Sequence, residues 1–322
     1  MPMTLGELRS ETLSWLDESS ASTSSATYIN VTNALKQAHT IRLTEDQWKF
    51  MLWPSVQTLT TVASQQLYSL HQEFLRPYWF RNTSQQQWLS EVPSRNMEPL
   101  GLDFANDTDT LQFALWGRSQ VTAQPTSASV ITIVSSSASD TTAAKAITIY
   151  GDTASGVTTE SITPNGLTGV AGTTSFTQIL GVTKGADWAG TLTMTSNSAA
   201  VTNLKLFPTE YGRSYQQMML LGLPTANETI TYRFYRKPRE LSASNDLTDI
   251  PPPFERILVY DALLLMAAYD NRLDSGRQGL WRAYQAELDM QLRQSQLEGQ
   301  SLGAQARYIM ERSSGQTLRF PD

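Results

Sequence analysis

The chain has 322 residues, 24 Lys and Arg against 30 Asp and Glu for a net charge of −6, 40% hydrophobic residues and no cysteine. That length fits two or three domains, and that apolar content supports real cores, which excludes wholesale disorder. The acidic balance excludes a generic nucleic-acid binder, and the absent cysteines exclude a disulfide framework, a thiolate metal site and a cysteine nucleophile.

The first residues carry Glu7, Arg9 and Glu11 where a secretory sequence is apolar, so no signal peptide is read there. Thr4 and Glu7 instead have the S/T-x-x-E spacing of a capping box, in which hydroxyl and carboxylate each satisfy a free backbone N–H. Leu5, Leu8, Leu13, Trp15 and Leu16 give the following helix its apolar side. A Ser/Thr linker from Ser19 to Ser25 leads to a second helix with Tyr28, Ile29, Ala34, Leu35, Ala38 and Ile41, which continues or restarts through Trp48 and Met51 before Pro54. From Val56 to Leu70 the pattern turns β-like and reads as a hairpin with its turn at Ala63 to Gln65. Short segments at Tyr78 to Asn82 and Leu111 to Trp116 follow.

Between Ser119 and Phe207 the chemistry changes. About a third of these residues are Ser or Thr, Trp188 is the sole tryptophan, and the charges number only Asp140, Lys145, Asp152, Glu160, Lys184, Asp187 and Lys205. Strand-sized apolar clusters recur at Val130 to Val134, Ala146 to Tyr150, Glu160 to Thr163, Ser175 to Val182, Ala189 to Thr195 and Leu204 to Phe207, with Gly, Asn and Pro turn signals between them. This spacing predicts an immunoglobulin-like β-sandwich, inserted into the domain formed by the flanking halves.

After Phe207 the aromatic and leucine-rich chemistry returns. Tyr215 to Leu221 is compatible with helix or strand. Thr229 to Arg236 alternates as a strand with Ile230, Tyr232 and Phe234 on one face. Pro251 to Pro253 lead into a helix from Phe254 to about Leu273 that is apolar nearly all round, and such a helix must be buried on most sides. Its longest apolar run, Ile257 to Ala268, is interrupted by Asp261 and is too short for a bilayer, which takes about 20 apolar residues. A soluble chain without membrane partners is expected. An amphipathic helix runs from about Gly279 to Leu297, and a last segment, Ser301 to Asp322, carries Tyr308, Ile309, Met310, Leu318 and Phe320 among polar residues.

The residues give no catalytic, cofactor or metal site. His39 and His71 are the only histidines, neither in a metal spacing, and no phosphate loop, nucleophile elbow or H-E-x-x-H occurs. The pairs Glu45/Asp46 and Asp107/Asp109 read as helix-start or turn residues. The cluster Arg233, Arg236, Lys237, Arg239, interleaved with aromatics, has two readings: a nucleic-acid contact, or a strand with a charged outer face. The acidic total favours the strand.

The order of these pieces resembles the head–tail connector (adaptor, or neck) proteins of tailed bacteriophages. The residues that carry the likeness are TLGELRSETLSWLDE at the start, YINVTNALKQAHTI, the Trp48 to Met51 run, QQLYSL and LRPYW, then TITYRFYRKPREL and DIPPPFERILVYDALLLMAAYDN. It covers most of 1–118 and 208–300. The large Ser/Thr-rich segment and the chain from Ser301 onward depart from it.

The resemblance implies a virion protein made in the host cytoplasm and located at the head–tail junction. It also implies a homo-oligomeric ring, dodecameric to match the portal above it, with a tail, nozzle or further neck protein below. Double-stranded DNA would pass through without sequence-specific binding, and no enzymatic activity or cofactor is implied. The expected fold is α+β: a helical connector domain (1–118 and 208–300) with small antiparallel β elements, the immunoglobulin-like sandwich (119–207), long C-terminal helices and a partner-binding tail (301–322). Portal contact is expected at Tyr308, Ile309, Leu318, Arg319 and Phe320, and subunit contact at Leu258, Leu265, Trp281 and Tyr284. The competing function is a tail-associated protein whose sandwich recognises a host glycan through Tyr150, Phe176, Trp188 and Phe207.

Overall fold

The structure is a computed structural model describing residues 2–63, 65–93, 111–197, 200–269 and 275–313, with 269, 275 and 297–313 as backbone only. The chain forms two compact units, residues 1–52 with 235–322, and residues 53–234.

The first unit is helical. Helix α1 (Leu5–Trp15) starts at the capping box read from the sequence: Thr4 Oγ1 accepts the Glu7 N–H while the Glu7 carboxylate accepts that of Thr4. Helix α2 (Ala26–Glu45) is capped by Ser25, whose hydroxyl accepts the Tyr28 N–H. A 3-10 turn at Phe254–Arg256 leads into α3 (Ile257–Tyr269), and α4 spans Ser275–Ser313. Helix α3 packs on α1, α2 and α4. That explains its composition: Ile257 to Leu263 are all buried, and every residue of that run but Asp261 is apolar or aromatic. Leu5, Leu8, Val31, Leu35, Leu43 and Trp48 complete the core from the other helices.

The second unit is built from strands: β1 (Gln57–Thr60), β2 (Leu67–Ser69), β3 (Phe74–Asn82), β4 (Gln87–Trp88), β5 (Ser90–Glu91), β6 (Gln112–Ser119), β7 (Ser129–Ser135), β8 (Ile147–Thr153), β9 (Gly156–Ile162), β10 (Val170–Phe176), β11 (Gln178–Lys184), β12 (Leu192–Ser196), β13 (Val201–Leu206), β14 (Tyr215–Leu220) and β15 (Thr229–Arg236), whose last two residues belong to the first unit. Two sheets, β1-β15-β3-β4 and β2-β14-β6-β5, close over a core of Phe74, Phe80, Phe113, Met218, Ile230 and Phe234. Two more, β10-β7-β12-β13 and β11-β8-β9, close over Ile131, Ile149, Phe176, Trp188, Met194 and Leu204. The strands that lead into and out of this Ser/Thr-rich part are an antiparallel pair, with Ser119 of β6 opposite Tyr215 of β14.

The expected fold class is overturned. Four sheets build the second unit and only 27% of the chain is helical, so the expected helical connector domain with small β elements and long C-terminal helices is not what the chain forms. The sequence leads one to expect only small β elements in the aromatic-rich halves, whereas β3, β6, β14 and β15 line a whole sheet–sheet interface with their Phe, Tyr and Met side chains. The immunoglobulin arrangement also fails. That fold groups its first, second, fourth and fifth strands against the third, sixth and seventh. Here the first, fourth, sixth and seventh (β7, β10, β12, β13) face the second, third and fifth (β8, β9, β11).

Two local readings change as well. The segment from Val56 to Leu70 is no hairpin, because β1 pairs with β15 and β2 with β14 in different sheets. The single strand read over Ser175 to Val182 is two: Phe176 enters the core, and the chain then crosses at Thr177 from the four-stranded sheet to the three-stranded one.

Candidate assembly surfaces

In the helical unit the side chains of α2, α3 and α4 meet around one buried arginine. Asp261, the lone charge in α3, takes both Nε and Nη2 of Arg42 at 2.9 and 2.7 Å, while Nη1 of Arg42 reaches Asp289 at 2.7 Å. Gln285 adds a hydrogen bond to Asp261. The ladder continues outward: Asp289 accepts from Arg293 at 2.8 Å, Arg293 pairs with Asp46, and its guanidinium lies 5.4 Å from the centroid of the Trp48 ring. Burial works against the charge on Arg42, but the hydrogen bond and charge of Asp261, then Asp289, raise its pKa.

Beside this ladder lies a groove of about 510 Å³, lined by Ala38, Ile41, Leu264, Leu265 and Ala286, with Glu45, Asp261 and Asp289 on its acidic side. Past it, the Lys49 N–H donates to Oε1 of Gln296 on α4 at 2.9 Å. The ladder thus fixes the first half of α4 against α2 and α3.

The residues expected at subunit contacts fall in different places. Leu258 and Trp281 are fully buried in the unit's own core. Leu265 is half-buried at the groove. Tyr284 is 39% exposed and stacks on Tyr260 with ring centroids 5.4 Å apart. Tyr308 and Ile309 lie on the backbone of α4, whereas Leu318, Arg319 and Phe320 fall outside the described residues, as do Asp107 and Asp109.

The basic cluster is occupied by structural bonds, as the strand reading expects. Arg233 donates to the Trp53 carbonyl, Arg236 to the Asp249 carboxylate, and Arg239 to that carboxylate and to the Leu247 carbonyl. Asp249 in turn donates its N–H to Nε2 of His39 at 3.2 Å. Burial pushes His39 down to about 4, against the pull of the Asp249 charge. Burial raises the Asp249 carboxyl, but Arg236 and the Arg239 N–H outweigh it and hold the group below its ordinary range. His71 packs at a tilt against Trp53 and Phe234, with ring centroids 4.7 and 5.3 Å away. Sequence reasoning missed the Arg42 ladder. Its one visible signal was the carboxylate of Asp261 inside an apolar run, and the partner lies 219 residues away.

In the Ser/Thr-rich part of the second unit, the fully buried carboxylate of Asp140 organises a loop. It accepts from Ser135, from Lys145 at 2.7 Å, and from the N–H groups of Ala189 and Gly190 at 2.9 and 3.0 Å. Burial disfavours its charge, yet these donors hold the carboxyl far below the usual range. Of the four aromatics the glycan reading requires, Phe176 and Trp188 are core residues; Tyr150 and Phe207 are exposed. Among the described residues no cluster of three or more His, Asp or Glu is placed to hold a metal, and no helix is long and apolar enough to cross a membrane.

The family model of the SU10 adaptor protein matches residues 144–308, just over half of the chain. The chain belongs to the SU10 adaptor family. It is therefore a phage structural adaptor and a virion component that interacts with other head or tail proteins. The family is one of structural adaptors and not of enzymes. The match runs through β8 to β15, α3 and α4 as far as Tyr308, so it includes most of the Ser/Thr-rich segment that composition sets apart. No curated protein matches this adaptor.

Proposed function

We propose that the adaptor forms a ring beneath the portal, at the junction of head and tail, with a channel through which double-stranded DNA passes without sequence-specific contact. The family match carries this reading. Three features support it further. The net charge of −6 disfavours retention of a sliding polyanion. Helix α4 runs on to Ser313, 17 residues past Gln296, whose side chain accepts the Lys49 N–H. The segment that follows Gly299 carries Tyr308, Ile309, Leu318, Arg319 and Phe320, an aromatic, aliphatic and arginine set typical of interface anchors. These residues contact the portal, and copies in the ring contact each other around Leu265 and Tyr284. Leu258 and Trp281 support that surface from beneath.

Truncation after Gly299 tests the assignment. The shortened chain is expected to keep its fold and its ring contacts but to lose binding to purified portal in native mass spectrometry. Undiminished portal binding would remove the C-terminal segment from the interface. A full-length chain that stays monomeric both alone and with portal would overturn the ring itself.

A further inference from the structure

We infer that the edge of β1 is the pairing edge of a two-fold dimer of this chain, formed by the free protein. The long edges of the two sheets in the Ser/Thr-rich part are closed by their own chain. Glu160 of β9 accepts the N–H groups of Thr173 and Thr174 on β10; Gln120 and Gln124 bond Val182 and Ile179 on β11; Thr122 bonds the Asn203 carbonyl on β13. Among the described residues, strand β1 lacks such a cover. It ends its sheet, and no Asp, Glu, Lys or Arg occurs between Lys49 and Glu73. Unpaired, uncharged edges are templates for pairing with another chain.

The register says which groups are free. Thr61 donates its N–H to the Glu228 carbonyl at 2.8 Å, and Leu59 and Gln57 lie opposite Ile230 and Tyr232. Alternation along an antiparallel ladder then turns the backbone of Gln57 and Leu59 toward β15, and that of Thr58 and Thr60 outward. Among the described residues, nothing bonds those outward groups.

The occupant is a second copy because the strand is self-complementary. Val56-Gln57-Thr58-Leu59-Thr60-Thr61-Val62 reads nearly alike in both directions about Leu59. An antiparallel pair centred there sets Thr58 opposite the partner copy's Thr60 twice over, which forms four backbone hydrogen bonds. It also brings Val56, 50% exposed, toward Val62, 44% exposed, of the other copy. Thr–Thr and Val–Val cross-strand pairs are favourable, and a patch that pairs with itself gives a two-fold contact. The result joins two four-stranded sheets into one of eight strands. Because a closed ring has no two-fold axis between neighbours, this contact differs from the ring contact and does not depend on it.

The absence of cysteine in the parent chain gives a clean test. T58C and T60C are purified separately, mixed, and oxidised mildly. A disulfide-linked dimer is expected from the mixture and not from either variant alone; a T58C homodimer would show parallel pairing and overturn the inference. In sedimentation equilibrium T58P, which removes only an outward N–H, is expected to weaken the dimer about tenfold to a hundredfold. Should T58P misfold by circular dichroism, T58K/T60K sets like charges opposite each other and serves the same purpose. No enrichment of cross-link in the mixture, or parent-like sedimentation of the folded blocking variant, would sink the proposal. Portal binding is read separately, so the two outcomes do not confound the ring.

Discussion

At the level of single residues, the helical unit depends on polar groups that have been taken out of water and given partners. His39 is the clearest case for a measurement. It is 1% exposed, and its neutral Nε2 accepts the Asp249 N–H, so protonation would break that bond and place a cation near Arg236 and Arg239. In the unfolded chain His39 binds a proton near 6.5; in the fold it does so at about 4. Between those values the unfolded state holds more protons, so stability is complete above about 6.5 and falls as the pH drops toward 4. The carboxyl of Asp249, held below its ordinary range, adds a separate loss that sets in as the pH falls into that range. The loss attributable to His39 is of the order of 2–3 kcal/mol. Urea unfolding at pH 7, 5 and 4 would show it, and His39→Gln, which keeps an acceptor without the titration, should flatten the dependence. An unchanged slope in that variant would assign the effect elsewhere. The sequence marked His39 only as a non-ligand. Its role was hidden because Asp249 lies 210 residues away and nothing local distinguishes a buried imidazole.

At the level of elements, periodicity was readable where one face meets a core and the other meets water. Thr229 to Arg236 alternates, and Ile230, Tyr232 and Phe234 are buried as expected, joined by Tyr235. The capping box at Thr4 and Glu7 was equally legible, because its chemistry is complete within four residues. Pairing partners were not legible. Ser175 to Val182 forms one strand-sized cluster in the sequence, although its two halves belong to different sheets and the buried residues change phase from Phe176 to Ile179 across Thr177 and Gln178. What divides them is the depth of Phe176 and the edge that Glu160 closes, and both are long-range facts. Glu160 accepts from Thr173 N–H, Thr173 Oγ1 and Thr174 N–H within a stretch where β10 slips register between Ala171 and Ser175. Glu160→Ala is expected to cost about 1–2 kcal/mol and to open that edge. Amide hydrogen exchange reads this directly: Thr173 and Thr174 should be protected in the parent and fast in the variant. Equal protection in both would mean that the carboxylate adds nothing to the edge.

At the level of the whole chain, composition and connectivity mark different boundaries. The Ser/Thr-rich chemistry begins near Ser119, yet the compact units part at 52/53 and 234/235, inside aromatic sequence that does not change character there. Trp53 opens one unit and Trp48 closes a core in the other; nothing in the residue types says so. Connectivity supplies the reason that one chain can hold both. Leu52 and Tyr235 form an antiparallel bridge, so the helical unit's two segments are adjacent where the β unit leaves and returns. A hairpin turn needs only about two residues between such positions. Replacing residues 53–234 with Asn-Gly should therefore leave a helical protein with one cooperative thermal transition, since Leu5, Leu35, Leu258 and Trp281 find all their core partners within it. The excised fragment 53–234 should fold as a β protein for the same reason, its two cores being complete. Far-UV circular dichroism and the sharpness of melting decide the matter for each piece. A non-cooperative melt of the helical piece would mean that its stability is drawn from the β unit, and the division into two units would then describe geometry without describing energy.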